Sequence, residues 1–402
     1  MRVAWRVLRA EGLLAVRDRI LDRIAEARRR RRFPPAPPGW RPPFRVSVLT
    51  VSAMPPAPWL GGVQLHLLRR FKPAPLASAL LYPAAGGWRL EVAGKALVFP
   101  GAPPSAAALE DPAFEEVVRS AAAAVSAGAI HVEGLAGLPP GSLLRLQREG
   151  LELRLSLHDF AAFCPRPHLL EQPQNRFCRY SRDLARCGRC LRRDWPVDDA
   201  YQAGRRALSA ELLASASALI FPSEFLKRAY GELFPGLPPE RQRIAPPASG
   251  NDPPAPRRSG PVRHVALVGG VKAHKGAHVF EETVRLLEGS GVRWTAYGGG
   301  DPEILARLRR LSRVRVRGYY RGGTLPRLLR RDGVDLALLL SVVPESYSLV
   351  LDECAAAGVP LVAFDLGAVA ERFTLGCLVP LEKGAEGIAA AVRSFEVRGE
   401  PL

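Results

Sequence analysis

The chain has 402 residues, 47% of them hydrophobic and 24% charged, enough for two domains of ordinary size with a filled core in each. Its 57 basic residues against 39 acidic ones give a formal charge of +18, which directs it toward polyanions: nucleic acid, anionic lipid headgroups or nucleotide phosphates. No apolar run reaches the about 20 residues that cross a bilayer, and charges interrupt every candidate signal-peptide core, so the expectation is a cytoplasmic protein.

Residues 1–33 hold eleven arginines against four acids, Glu11, Asp18, Asp22 and Glu26. Leu13, Leu14, Val16, Ile20, Leu21 and Ile24 recur near helical spacing, and an arginine run at 28–32 leads into FPPAPPGWRPPF. Two readings fit residues 1–44: an amphipathic helix on the anionic inner face of the cytoplasmic membrane followed by a stiff proline linker, or a solvated connector.

The run RVSVLTVS at 45–52 is rich in β-branched residues and predicts a buried first strand, followed by Gly61, Gly62 and the helical run VQLHLLRRF. Next come the strand SALLYP, a hairpin near WRLEV, a helix over about 112–126, the strand AIHVEG and a helix over about 140–149. LELRLSLHDF is a strand ending in His158 and Asp159; after a cysteine-rich insertion at 164–190, a helix, the strand ALIFPS and a further helix close a domain at 45–245. Residues 246–261, PPASGNDPPAPRRSGP, have the composition of an exposed linker.

A second domain spans 262–402. It runs HVALVGG, loop VKAHKG, helix AHVFEETVRLLEGS, strand VRWTAYGGG, helix PEILARLRRLS, strand VRVRGYY, helix TLPRLLRRDG and strand VDLALLL, then PLVAFD and a last helix over about 385–395. Alternation of this kind predicts an α/β protein of two doubly wound Rossmann-like domains facing across a cleft, with ligands at the carboxyl ends of the strands.

The stretch PESYSLVLDECAAAGVP at 344–360 carries two glutamates, Glu345 and Glu353, eight positions apart. Ser346, Tyr347 and Ser348 form the turn into a helix, with Ser346 or Ser348 as its amino-terminal cap, and Gly358 stops it. The amides and dipole of such a turn suit a phosphate, Glu345 suits hydroxyl groups and Glu353 suits a ribose. A solvated helix face is the plainer reading of the same residues.

Cys187 and Cys190 form CGRC, and Cys178 and Cys164 lie 9 and 23 positions before Cys187. Four thiolates would make a closed structural zinc site; free, partly buried thiols and redox chemistry are the other uses of such a set. Cys354 and Cys377 read as core residues.

PESYSLVLDECAAAGVPLVAFDLGAVAER resembles the Glu, seven residues, Glu signature of retaining glycosyltransferases of family 4, which have the GT-B fold. VALVGGVKAHKG is similar to that family's glycine-rich loop, and PWLGGVQLHLL to its amino-terminal glycine loop. IHVEGLAGLP, LRLSLHDF and ALIFPSEF look like strands of its first domain, so the likeness covers about residues 45–395. It implies transfer of a sugar from a nucleotide diphosphate donor to a glycan or lipid-linked acceptor, with no catalytic metal, no nucleic-acid partner and a place in bacterial surface polysaccharide synthesis. On this resemblance Glu345 binds the donor sugar, Glu353 the ribose, and Lys275 the diphosphate. Gly61, Gly62 and Gly270 make room for the phosphates, Ser346, Tyr347 and Ser348 line the donor, and His158 faces the reacting sugar.

The sequence departs from the family in having Gly269, Gly270, Val271 and Lys272 where an arginine commonly follows the first glycine. Lys272 is then either the second diphosphate cation, without the forked donors of arginine, or a surface lysine. Two other functions compete with the enzyme: a non-catalytic sugar-nucleotide-binding scaffold, and a basic, zinc-containing nucleic-acid-binding protein.

Overall fold

The computed structural model describes residues 9–57, 62–71, 78–247 and 260–397. The chain forms two compact units, residues 26–247 and residues 1–25 with 248–402.

The unit of residues 26–247 is built on an eight-stranded sheet of order β10-β9-β6-β5-β1-β2-β3-β4. These strands are β1 (Val48–Val51), β2 (Ala79–Ala84), β3 (Gly87–Val92), β4 (Lys95–Phe99), β5 (Ala129–Glu133), β6 (Glu152–Ser156), β9 (Ala218–Phe221) and β10 (Gln242–Ile244). From β10 to β2 all pairings are parallel. The hairpin expected near WRLEV is part of an antiparallel meander of β2, β3 and β4 along one edge of the sheet. Ala93 and Gly94, at φ 47° and 71°, turn β3 into β4 in the left-handed geometry of a tight hairpin.

The helix Pro112–Val125 starts where the Asp111 carboxylate accepts from the Phe114 N–H at 3.0 Å, with proline in its first turn. It buries Phe114, Val117, Val118, Ala121 and Val125, and Phe114 meets Trp88 of β3 with ring centres 5.4 Å apart. The insertion holds the short hairpin β7 (Leu170–Glu171) and β8 (Arg176–Phe177) and the helix Leu184–Leu191.

The other unit has a fully parallel six-stranded sheet of order β14-β13-β12-β15-β16-β17. Its strands are β12 (His264–Val268), β13 (Arg293–Tyr297), β14 (Val314–Gly318), β15 (Leu336–Leu339), β16 (Leu361–Phe364) and β17 (Gly376–Val379), and β11 (Gly260–Pro261) pairs with β18 (Glu396–Val397). The order is that of a doubly wound dinucleotide-type fold, with its direction reversing between β12 and β15. Strands β12, β15 and β16 are buried at every residue, as a sheet covered on both faces requires.

The arginine-rich segment up to residue 25 belongs to this second unit, most of it on the helix Leu13–Arg31. Its acids point inward. Glu11 accepts from the Tyr319 N–H at 2.9 Å, Asp18 pairs with Arg317 at 2.5 Å, and Asp22 accepts from the Tyr319 hydroxyl at 2.6 Å and from Arg321 at 2.9 Å. Arg19 bonds Glu11 at 2.6 Å and lies 4.5 Å over the Tyr319 ring. Leu13 and Ile20 point the other way and are 76% and 51% exposed, beside exposed Leu21, Ile24, Arg17 and Arg23. The helix is amphipathic in a sense its periodicity alone does not reveal: the anchored face is acidic and the outward face is apolar and basic.

Candidate functional site

In the second unit, the loops after β12 and β15 meet at the reversal of strand order. The β12 loop runs through Gly269 and Gly270 into a single 3-10 turn, Ala273–Lys275, before the helix Ala277–Leu286. Val342 donates its N–H to the His274 carbonyl at 3.1 Å, which ties this turn to the chain leaving β15. Gly298, at φ 138°, brings the β13 loop so close that a Cβ there would overlap the Gly269 carbonyl.

Within this frame the Lys275 ammonium donates to Glu345 Oε1 at 2.5 Å, and the Ser341 hydroxyl donates to the same oxygen. Lys275 keeps 30% of its side-chain surface exposed and Glu345 keeps 11%. The Glu345 main chain is fixed by the start of the helix Gly367–Arg372: Ala368 donates to the Glu345 carbonyl at 2.8 Å. Gly367, at φ 69°, has no room for a side chain, since a Cβ would sit 2.8 Å from the Glu345 nitrogen.

The turn into the helix Leu349–Ala357 departs from expectation. Ser348 occupies the cap position at φ 70° and its hydroxyl makes no capping bond. Arg372 holds the turn instead: it donates to the carbonyls of Tyr347 at 2.7 Å and Ser348 at 3.3 Å, pairs with Asp352 at 2.5 Å, and stacks 3.5 Å from the centre of the Tyr347 ring. Tyr347 is buried, while Ser346 and Ser348 are half-buried. Glu353, one helix turn further on, accepts from the Gly323 N–H at 3.1 Å, which links it to the loop after β14. Lys272 is exposed and Gly270 half-buried.

The first unit has its own cluster, on β5 and the helix Gly62–Arg70. Glu133 ends β5 at 2% exposure. One of its oxygens pairs with Arg70; the other lies 2.9 Å from His158 Nε2 and 4.0 Å from His66 Nε2. Burial alone would raise the Glu133 pKa, but the His158 hydrogen bond and the charges of His131, His158 and Arg70 outweigh it and bring it down to about 2. An ionised Glu133 can only accept, so the proton of His158 sits on Nε2. His131 accepts from Arg70 at Nδ1, 3.2 Å away, and bonds the Ser156 hydroxyl at 2.8 Å, and burial brings its pKa down to about 4. His66 is lowered too, first by burial. Among the described residues, His66, Glu133 and His158 are the set of ligand-type atoms lying within 4.8 Å of one another, but the Arg70 guanidinium already neutralises their one carboxylate.

The comparisons with known proteins give these arrangements a context. Residues 262–395 match the family model of the glycosyl transferases group 1. The fold is GT-B. Sucrose-phosphate synthase from Thermosynechococcus elongatus aligns with 86% of this chain and 88% of its own at 15% identity and a TM-score of 0.60. Anabaena HepE, solved in complex with UDP, aligns with 86% of this chain and 88% of its own at 16% identity and a TM-score of 0.55. A glycosyltransferase from Rickettsia africae aligns with 87% of each chain at 12% identity and a TM-score of 0.54. No curated sequence matches the chain.

The glycosyltransferase-matched segment contains Lys275, Glu345 and Glu353, and the structure brings the first two into direct contact. Gly62 opens the helix Gly62–Arg70, whereas Gly61 lies outside the described residues. Sequence reasoning missed Ser341, Arg372, His66, Arg70 and Glu133. The one available signal was Glu133 itself, a charged residue closing the otherwise buried strand AIHVE.

Proposed function

We propose that the protein is a retaining glycosyltransferase that moves a sugar from a nucleotide diphosphate to a glycan or lipid-linked acceptor of bacterial surface polysaccharide. The observation that carries this reading is the Lys275–Glu345 pair at the strand-order reversal of the domain that matches the family model. A lysine ammonium resting on a partly open carboxylate is an exchangeable contact. An incoming diphosphate takes over the ammonium, and the Glu345 carboxylate, still held by Ser341, then accepts from donor-sugar hydroxyls.

Charge grows on the leaving diphosphate as the glycosidic bond breaks. Lys275 and the positive end of the helix Leu349–Ala357 stabilise it, and Lys272 adds a second, mobile cation. In this reading the reaction is a front-face displacement: the departing diphosphate helps take the proton of the acceptor hydroxyl, and the new bond forms on the face the leaving group vacates. Gly270 admits the phosphates, the turn Ser346, Tyr347, Ser348 lines the donor, and Glu353 receives the ribose. His158, its tautomer set by Glu133, positions the reacting group rather than attacking it.

The outward face of the helix Leu13–Arg31 fits an anionic bilayer, with apolar side chains to insert and arginines for the headgroups. That suits a lipid-linked acceptor and a protein peripheral on the inner face of the membrane.

The test is a panel of UDP-, GDP-, dTDP- and CMP-linked sugars. A donor should raise the melting temperature, because it binds only the folded state, and should be consumed when acceptor is supplied. Binding without turnover under any acceptor condition leaves the scaffold reading, and binding of none removes the proposal.

A further inference from the structure

The insertion that follows His158 takes no part in the reading above, yet it contains the most unusual chemistry in the chain. Cys164 lies in the loop after β6, Cys178 just after β8, and Cys187 and Cys190 on the helix Leu184–Leu191. All four are free cysteines, and all four line one cavity with Arg166, Arg186 and Arg206.

Main-chain and side-chain donors converge on these sulfurs. The Gln172 N–H donates to Cys190 Sγ at 3.3 Å, and Arg206 donates to Cys187 Sγ at 3.6 Å, while the Cys187 thiol itself donates to the Ser181 carbonyl at 3.6 Å. Cys164 is bonded by the Arg166 backbone, and Cys178 by the backbones of Tyr180 and Ser181. To place amides on Cys178 the chain puts Arg179 and Tyr180 at φ 52° and 55°, a conformation that costs both non-glycine residues. A neutral thiol is a weak acceptor and does not reward such an arrangement; a metal-bound thiolate does.

We propose that Cys164, Cys178, Cys187 and Cys190 bind one zinc ion that staples the β7–β8 hairpin to the helix Leu184–Leu191. Four thiolates around zinc carry two net negative charges; Arg206, which already donates to Cys187 Sγ, faces them, while Arg166 is paired with Asp194 and Arg186 with Glu171. Glu171, the carboxylate on that wall, is already paired with Arg176 at 3.1 Å and Arg186 at 2.5 Å. Binding releases the thiol protons as the four Zn–S bonds form, with no change of oxidation state. Among the described residues no three of these sulfurs lie within 4.8 Å of one another, so holding a zinc ion would require them to close in.

The site has a structural role: it would add a covalent tie to an insertion that Leu169 and Phe177 pack against the core, that Arg206 bonds at the Ser181 carbonyl at 2.8 Å, and that Arg182 ties to the Glu232 carbonyl at 3.0 Å. It stands independently of the glycosyltransferase reading.

The experiment is elemental analysis of the full-length protein purified without chelator, with native thiol titration alongside. The expected result is one zinc per chain, with the four cluster thiols closed to titration until the metal is stripped; Cys354, fully buried, stays closed in the folded protein either way. Cys187→Ser should lose the zinc, and Cys377→Ser, outside the cluster, should keep it. Wild-type protein without zinc and with its cluster thiols open to titration, two disulfides found by mass, or iron with acid-labile sulfide would each overturn the assignment, even if the Cys187 variant fails to fold.

Discussion

Glu133 and Glu345 occupy corresponding places in two different sheets. Glu133 ends and Glu345 follows a strand that neighbours the first long strand of its unit where strand order reverses, β5 beside β1 and β15 beside β12. Their surroundings have opposite characters. Glu133 has no exposed side-chain surface and is shared among Arg70, His158 and His66. Glu345 keeps some contact with solvent and holds a flexible lysine that itself remains 30% exposed. A closed carboxylate fixes its neighbours, because any exchange of partner would leave a charge buried and unpaired. An open one can trade a lysine for a ligand at little cost. Of two similar positions, one is suited to hold a histidine still and the other to handle a substrate.

The sharpest way to break this comparison is to neutralise the buried member. Glu133→Gln removes the carboxylate that Arg70 and His158 share; because the Arg70 side chain stays 40% exposed, the loss falls below the about 3–5 kcal/mol of a fully buried pair, and the unfolding midpoint in urea should still fall. A midpoint equal to wild type would mean that Glu133 is not the keystone argued for. Glu345→Ala should do the reverse: transfer falls about 100-fold or more while the melting temperature stays close to wild type. Equal losses of stability in the two variants would erase the distinction.

Acid sharpens it further. His131 stays neutral in the fold down to about pH 4 but takes a proton near 6.5 once unfolded, so the unfolded state binds more protons and stability falls as pH drops from 6.5 toward 4. Glu133, at about 2 in the fold against 4.5 unfolded, contributes stability that is full above pH 4.5 and is lost as pH falls toward 2. Unfolding midpoints measured from pH 7 to 3 should therefore slope in two stages, and His131→Gln should flatten the upper one. The smallest effect concerns the amino-terminal helix. Replacing Ile20 and Ile24 by Ser should weaken pelleting with anionic liposomes by about tenfold, since each apolar side chain contributes about 1.5–3 kcal/mol when fully buried and less at an interface. The melting temperature should not change, and undiminished pelleting would end the membrane proposal.

Much of the site's raw material was legible along the chain. Glu345 and Glu353 announce themselves by spacing, Lys275 by its place after a glycine-rich strand end, and His158 by closing LELRLSL. The roles of Arg372 and Ser341 were not, because each acts on a partner through a bend whose shape no local pattern specifies. The Ser348 cap failed for the same reason: its backbone is turned to φ 70° by contacts with Arg372 rather than by its own preference.

By itself, the order of residues determined the alternation of strands and helices, the two-part α/β architecture and the chemical types available, because periodicity and turn chemistry act over a few neighbours. Only the tertiary structure decided which charges meet. Lys275 and Glu345 are 70 positions apart, and Arg317 and Asp18 are 299 apart. It likewise turned the acids of the first helix inward and its leucines and isoleucines outward, since an amphipathic pattern states that two faces differ but not which one finds a partner. That choice belongs to the surface the helix meets, where Arg317, Tyr319 and Arg321 favour carboxylates over hydrocarbon.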